Sequence, residues 1–368
     1  MFTLQLTKEQ LLTPLLTVAG AVDKKQSLAI LSNILIGFSN DQLFVTATDL
    51  EIEISARLDC EASVVPTKFT VPAKKFIDII RSLDEDSRPS INFNSDLVVI
   101  KAGRSQFKLA TLPADDFPAV AEEANEVEFS IAKNDLMHLL QSTHFAMSQQ
   151  DVRVFLNGLL FELDAQTITT VATDGHRMAV CKLPCDSNFS HQRFLLPKKG
   201  VQEMLRLLAN VTDDEVSIAA GKNHFKLIAT EYTFQSRLIE TRFPPYAKAI
   251  PRQNDKFVLI DRDLLKRALV RIVILAHEKS RAVLLQVQSG TLTLIANNQE
   301  QEEAMETLEA HTDGEELTIG INASYLLDVL NFAPDGLIRL SMSTKDNSIL
   351  VESLHDELYL YIIMPMKL

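Results

Sequence analysis

Val171-Ala172-Thr173-Asp174-Gly175-His176-Arg177 is a β-branched run that ends in a small residue, turns at Thr-Asp-Gly and closes on two hydrogen-bonding side chains. Alone it looks like a piece of an active site. Its meaning comes from recurrence. Ala47-Thr48-Asp49-Leu50-Glu51 matches it 125 residues upstream, and Ala296-Asn297-Asn298-Gln299-Glu300 echoes it 124 residues downstream. Two further anchors keep the period: Phe194-Leu195-Leu196-Pro197-Lys198-Lys199 repeats Phe69-Thr70-Val71-Pro72-Ala73-Lys74, and Arg242-Phe243-Pro244 answers Asp116-Phe117-Pro118. A self-match at fixed spacing speaks for architecture before chemistry.

Worked outward, the anchors divide the chain into thirds, 1–126, 127–255 and 256–368, each reading as strand, helix, strands, helix, strands. The period predicts an α+β protein of three repeated domains. In the first third, Leu11, Leu12, Leu15, Leu16 and Val18 form one apolar helix face. A second helix over 73–83 turns Phe76, Ile77, Ile79, Ile80 and Leu83 inward and Lys74, Lys75 and Arg81 outward. The middle third predicts helices over 134–147 and 201–208, with paired strands over 156–161 and 167–173. The last third predicts a helix that Asp261 caps and another over 324–330, where Asn322 stands in the place of Pro197.

Composition narrows the function. With 368 residues, 46% hydrophobic and 23% charged, the chain can build more than one core. The opening Met1-Phe2-Thr3-Leu4-Gln5-Leu6 lacks a basic leader with a long apolar stretch, so the reading predicts a cytoplasmic protein without a signal peptide or membrane span. Three cysteines, Cys60, Cys181 and Cys185, fit a reducing compartment. Cys181 and Cys185 have no second pair at ligand spacing and read as unlinked thiols. The net charge of −13 excludes a generic basic nucleic-acid binder, and no third is basic.

Placement of charge says more than its total. The six segments read as helices carry 12 Lys+Arg and 7 Asp+Glu, so the strands and loops collect the acid. A wall of helices would then present a mildly basic face that attracts phosphates without reading bases. Catalytic readings have less behind them. Asp151, Asp174 and His176 could form an acid/base set, and Asp49 with Glu51 a metal site. However, the Asp recurs as a turn residue and becomes Asn298 in the third copy. There is no phosphate-cradling glycine loop, nucleophile elbow or two-histidine zinc pattern, so the reading is a non-enzyme without metal or cofactor.

At this point the repeats match a known family. Carriers besides the three turns are Ile30-Leu31-Ser32-Asn33-Ile34-Leu35, Gln150-Asp151-Val152-Arg153 with Leu156-Asn157-Gly158, Arg242-Phe243-Pro244, Glu300-Gln301-Glu302-Glu303 and the terminal Met364-Pro365-Met366-Lys367-Leu368. Along its whole length the chain resembles the bacterial DNA polymerase III β subunits, the sliding clamps. The resemblance implies a DNA-clamp fold, with helices lining the inner face and antiparallel sheets outside. It also implies a ring of two head-to-tail subunits around duplex DNA that tethers the replicative polymerase. Two other readings stay open: a peptide-binding scaffold that does not encircle DNA, and a metal-dependent hydrolase using Asp49, Asp174 and His176.

Residue roles follow from that likeness. Lys25, Arg81, Gln150, Arg153, Lys198, Lys199 and Arg206 are expected to touch DNA phosphates loosely. Lys74, Phe107 and Leu109 are expected at one end of the subunit, and Ile274, Leu275, Glu300 and Glu302 at the other, as the dimer interface. A partner pocket between the second and third repeats is expected from Leu156, Thr173, Gly175, His176, Arg177, Met178, Pro244 and Lys248 with Asn322, Tyr325, Ser348, Met364, Pro365 and Met366. Its ligands would be short linear motifs with a Leu-Phe-type apolar end, carried by the polymerase III α subunit, the clamp loader, other polymerases and repair proteins. Val154 and Phe155, Lys248 and Ala249, and Ser280 stand where relatives carry other residues.

Overall fold

The computed structural model describes residues 2–23, 28–39, 41–60, 67–94, 96–118, 124–313, 316–354 and 358–367. Lys25 and Leu368 lie outside them. Six α-helices occur among the described residues, two per repeat: α1 Lys8–Val18, α2 Ala73–Ser82, α3 Lys133–Gln141, α4 Lys198–Leu208, α5 Arg262–Ile272 and α6 Ala323–Phe332. Their starts follow from local chemistry. Thr7 and Gln10 form a reciprocal capping box on α1, Asp261 accepts the Leu264 N–H at 2.8 Å on α5, and Asn322 accepts the Ser324 N–H at 2.9 Å on α6.

Helix faces differ from the pattern at four points. Leu16 is exposed, and Leu12, Ile79 and Leu83 are only half-buried, while Leu11, Leu15, Val18, Phe76, Ile77 and Ile80 are in the core. The helix expected over 134–147 stops at Gln141 and resumes as a 3₁₀ turn, His144–Ala146. There Thr143 leaves helical geometry, and its hydroxyl bonds the Leu139 carbonyl at 2.8 Å and Thr170 at 3.2 Å, tying the chain to a strand.

The chain forms two compact units, Met1–Asn134 with Lys199–Leu238 and Asp135–Lys198 with Ile239–Leu368. The middle third is thus shared between them. The first unit holds a four-stranded antiparallel sheet in the order Phe2–Gln5, Ser90–Asn94, Leu97–Ala102, Ser105–Ala110. It also holds an eight-stranded one: Thr67–Pro72, Asn33–Ser39, Gln42–Thr48, Ile52–Asp59, Tyr232–Arg237, His224–Ile228, Glu215–Ala220, Val127–Ala132. The second unit holds a seven-stranded sheet: Gly158–Thr173, Arg177–Pro197, Tyr359–Ile363, Ile349–Ser353, Leu337–Met342, Lys256–Asp261, His311–Thr312. Its four-stranded sheet runs Glu303–Glu309, Thr291–Asn297, Ala282–Gln288, Leu317–Asn322.

Each unit contains one join between repeats, made the same way. In the first, Ile52–Asp59 pairs with Tyr232–Arg237; in the second, Arg177–Pro197 pairs with Tyr359–Ile363. The register is common too. The fourth residue after Thr48, Ile52, faces Ser236, and the fourth after Thr173, Arg177, faces Ile363. Apolar residues on alternate strand positions and the inward helix faces supply the cores.

Candidate functional site: the second Thr-Asp turn and the platform beneath it

The Thr-Asp turns are built by their own side chains. At the second, Asp174 Oδ1 accepts the N–H groups of His176 and Arg177, both at 2.9 Å. Thr173 Oγ1 donates to the Arg177 carbonyl at 2.6 Å and accepts from Gly175 N–H at 3.1 Å. The first turn repeats this with Asp49 and Thr48. Gly175 has φ +87°, which glycine adopts without cost; Leu50 holds φ +76° in its place. In the third copy Asn298 caps a turn one residue longer, its Oδ1 accepting Glu302 N–H at 3.0 Å. These carboxylates serve the turn, as the structural reading of Asp49 and Asp174 expects.

Arg177 leaves the second turn and enters the protein, its side chain only 11% exposed. Its guanidinium bonds Asp174 at 3.2 Å, the Phe145 carbonyl at 2.6 Å and Asp328 on α6. It lies over the Tyr325 ring, 4.6 Å from the centroid. Arg177 is expected in the partner pocket. The geometry makes it a strut that fixes Tyr325 and α6 against the turn, leaving exposed His176 and Gly175 to face outward.

On the strands that flank the turn and their neighbours, Leu160, Val171, Met178, Val180, Leu195, Phe243 and Ile362 form a buried apolar cluster, and half-buried Phe155, Ile239, Tyr246, Ile250, Leu350 and Leu360 pack against it to complete an apolar platform. Of these, only Met178 is among the residues expected in the partner pocket. Alternation along the strands was the available signal, since Val171, Met178, Val180 and Ile362 share one face, but a core strand alternates in the same way. Phe155 meets Phe243 edge-on at 6.1 Å, so Val154-Phe155 contributes an aromatic to the platform rim. The chain terminus closes one side. Met364 N–H donates to the His176 carbonyl and Met366 N–H to the Gly320 carbonyl, each at 2.8 Å, and the Met364 side chain stays 47% exposed.

The remaining expected pocket residues all belong to this unit. Leu156 is buried, Thr173, Tyr325, Asn322, Ser348, Pro365 and Met366 are half-buried, and Pro244 and Lys248 are exposed. Ser280 bonds His277 Nδ1 through its hydroxyl at 3.3 Å. Such a surface can take apolar side chains on the platform while a ligand backbone passes Gly175.

Of the residues expected on DNA, Arg81, Lys199 and Arg206 belong to the first unit and Gln150, Arg153 and Lys198 to the second. Arg153 lies beside Gly175, where an added Cβ would meet its guanidinium at 3.2 Å. It chelates Asp151 through two bonds of 3.0 Å, which hold that carboxyl down at about 2. Lys198 gives its ammonium to the Met147 and Ser148 carbonyls at 3.3 Å, and burial pushes its pKa down. Lys199 pairs with Asp49; Arg206 bonds Glu203 at 2.6 Å and the Leu16 and Thr17 carbonyls at 3.0 and 2.5 Å. Gln150 is exposed at φ +59°, and Arg81 is exposed beside Asp78.

Of the residues expected between subunits, Lys74, Glu300 and Glu302 are exposed, Phe107 and Leu275 half-buried, and Leu109 buried. Ile274 is 76% exposed. Among the described residues no three His, Cys, Asp or Glu side chains converge as for a metal ion, and no helix is long and apolar enough to cross a membrane.

Comparison with known proteins accounts for this arrangement. The family models for the N-terminal, central and C-terminal domains of the DNA polymerase III beta subunit match residues 2–121, 130–245 and 247–367. The beta sliding clamp of Pseudomonas aeruginosa is 44% identical over 369 residues, covering 100% of both chains. That of Escherichia coli is 39% identical over 361 residues, covering 98% of each. A crystal structure of the Pseudomonas aeruginosa DnaN sliding clamp bound to griselimycin matches at TM-score 0.96 and 42% identity over 100% of both chains. A Caulobacter crescentus clamp matches at 0.95 and 32%, again over 100% of both. None of these relatives favours a scaffold that never encircles DNA. Three repeats, two like joins and full-length likeness lead to one conclusion: the chain belongs to the DNA polymerase III β-subunit family, the bacterial sliding clamps.

Proposed function

We propose that this clamp works as a homodimeric ring around duplex DNA, without a catalytic step of its own, and carries polymerase III and other proteins on the platform below the second Thr-Asp turn. The observation that carries the ring is a join made twice and left open once. Asn297 faces Glu303 where Thr48 faces Glu53 and Thr173 faces Met178, so Glu303–Glu309 is the third joining strand. Phe107 faces Ile100 where Phe234 faces Leu227 and Tyr361 faces Val351, so Ser105–Ala110 is the first repeat's receiving strand. Both stand at sheet edges. A second copy satisfies both edges at once, and two such head-to-tail contacts close with two-fold symmetry.

The shared register puts Lys108 opposite the partner subunit's Glu303 and Phe107 opposite the partner subunit's Ala304, with exposed Ile274 and Leu275 supplying apolar contact. The test is solution mass at micromolar concentration. Ile274→Ala with Leu275→Ala gives monomers. Lys108→Glu lowers the dimer fraction, and adding Glu303→Lys restores it. A wild-type monomer, or no rescue, overturns the ring or its register.

On DNA, Lys25, Arg81, Gln150, Arg153, Lys198, Lys199 and Arg206 meet phosphates in this reading. Arg81 ranks first because its head is exposed and, among the described residues, held only by Asp78. Retention on nicked circular DNA, release on linearisation and a log–log salt slope that falls by roughly 0.9 per lost contact are the checks. The partners are short motifs with an apolar end from the polymerase III α subunit, the clamp loader, other polymerases and repair proteins, met in the cytoplasm. Removing residues 364–368 abolishes peptide binding in a fluorescence-polarisation titration and leaves the dimer intact.

A further inference from the structure

Beside the platform lies a cavity of about 670 Å³ lined by Lys248 and Ser348 of the expected pocket and, beyond them, by Arg252, Asn254 and Asp346, which no role above uses. Ile250 lines it and also packs on the platform, so the two are continuous. Its walls hold two cations, Lys248 and Arg252, against one acid, Asp346, in a chain of net charge −13. Both cations are exposed, and neither forms an ion pair among the described residues.

The walls are held in place before any ligand arrives. On one side, Asn254 donates to the Ser341 and Ser348 carbonyls at 2.7 and 3.1 Å. On the other, the 3₁₀ turn Tyr246–Ala249 that presents Lys248 is anchored through its first residue. The Tyr246 hydroxyl donates to Glu162 at 2.7 Å, and Arg193 donates to the same carboxylate at 2.6 Å. Glu162 is 6% exposed, so this anchor is a buried, charge-assisted one.

We propose that this cavity is an extension of the partner pocket that takes an acidic flank of the bound peptide, its carboxylates between Lys248 and Arg252. The proposal rests on the platform being the peptide site. A ligand whose apolar end occupies the platform must lead its chain out somewhere, and the preformed cationic wall lowers the free energy of an acidic path relative to a neutral one. Exposed ion pairs are individually weak, so the gain is one of preference among partners, not of basic affinity.

Two C-terminally amidated peptides test it, sharing one Leu-Phe end and differing only in a flanking Asp-Asp or Asn-Asn, titrated by fluorescence polarisation against the full-length dimer. The Asp-Asp peptide binds about three- to tenfold more tightly at low salt, and the ratio shrinks as salt rises. Arg252→Gln moves the ratio toward one, and Asp346→Asn raises it. Equal affinities on the wild type, or a ratio indifferent to both substitutions, overturns the acidic flank while leaving the platform reading in place. If neither peptide binds, the platform reading falls and this extension with it.

Discussion

The two joins inside the chain have the same backbone and opposite surfaces. Taken position by position in the common register, Val171, Met178, Val180, Leu195, Leu350 and Ile362 at the second join answer to Thr46, Glu53, Ser55, Thr70, Lys226 and Gln235 at the first. Three of the polar residues are hydrogen-bonded. Thr46 and Ser55 share a 2.7 Å hydroxyl bond, and Thr70 bonds Leu112 through both its carbonyl, at 2.7 Å, and its N–H, at 3.0 Å. One fold thus carries one apolar platform and one polar face. Under the proposed function, the difference teaches that the partner site is not a property of the clamp repeat. It arises from about six side-chain choices on a strand face that the repeat leaves available. By the register proposed for the ring, the third join would also be polar, with Lys108 and Glu303 at these positions.

The sharpest way to break the comparison is to give the second join the first one's chemistry. Met178→Glu should weaken peptide binding at least a hundredfold, since a carboxylate on the platform must be desolvated by the ligand's apolar side chains. Dimer mass and the melting curve serve as controls, and Met178→Leu should bind almost normally. Undiminished affinity in the Glu variant would place the ligand elsewhere.

A smaller effect is expected at the first join. Burial pushes the Glu53 carboxyl up to about 7, and Lys226 offsets this only in part. The folded state therefore keeps a proton that the unfolded chain releases near the ordinary carboxylate range. Stability contributed by the neutral form is present below about 4.5 and lost as pH rises through about 7. Glu53→Gln should consequently stabilise the protein at pH 8, by roughly 1–3 kcal/mol, and change little at pH 4. Equal shifts in melting temperature at both pH values would refute it.

The smallest effects come from exchanging the turn residues. Leu50→Gly relieves a left-handed backbone at an exposed leucine and should stabilise the protein by about 0.5–1 kcal/mol. Gly175→Ala imposes that strain and crowds the Arg153 guanidinium, and should cost about 1–2 kcal/mol. Denaturation midpoints at constant m-value measure both. Changes of the same sign would show that the two turns are not equivalent.

Periodicity by itself determined the three repeats, because each copy must place its strands, helices and Thr-Asp or Asn turn at the same spacing to build the same layers. It also separated turn carboxylates from catalytic ones, because Asp49 and Asp174 recur where a side-chain acceptor is needed for two backbone N–H groups. The helix cap at Asp261 was local and therefore legible, whereas the one at Asn322 was read only as a counterpart of Pro197. Three things depended on the tertiary structure. Arg177 became a strut because Asp328, Phe145 and Tyr325, distant in sequence, surround it. The platform emerged because alternate residues of separate strands meet on one face, a pattern that any buried strand also shows. Basic residues that a sequence offers equally to DNA differ in what they already hold: Lys198, Lys199 and Arg206 bind protein oxygens, while the Arg81 head is exposed. Local patterns settle what needs only neighbours in the chain. Long-range packing decides which side chains are committed inside the protein and which remain for a partner.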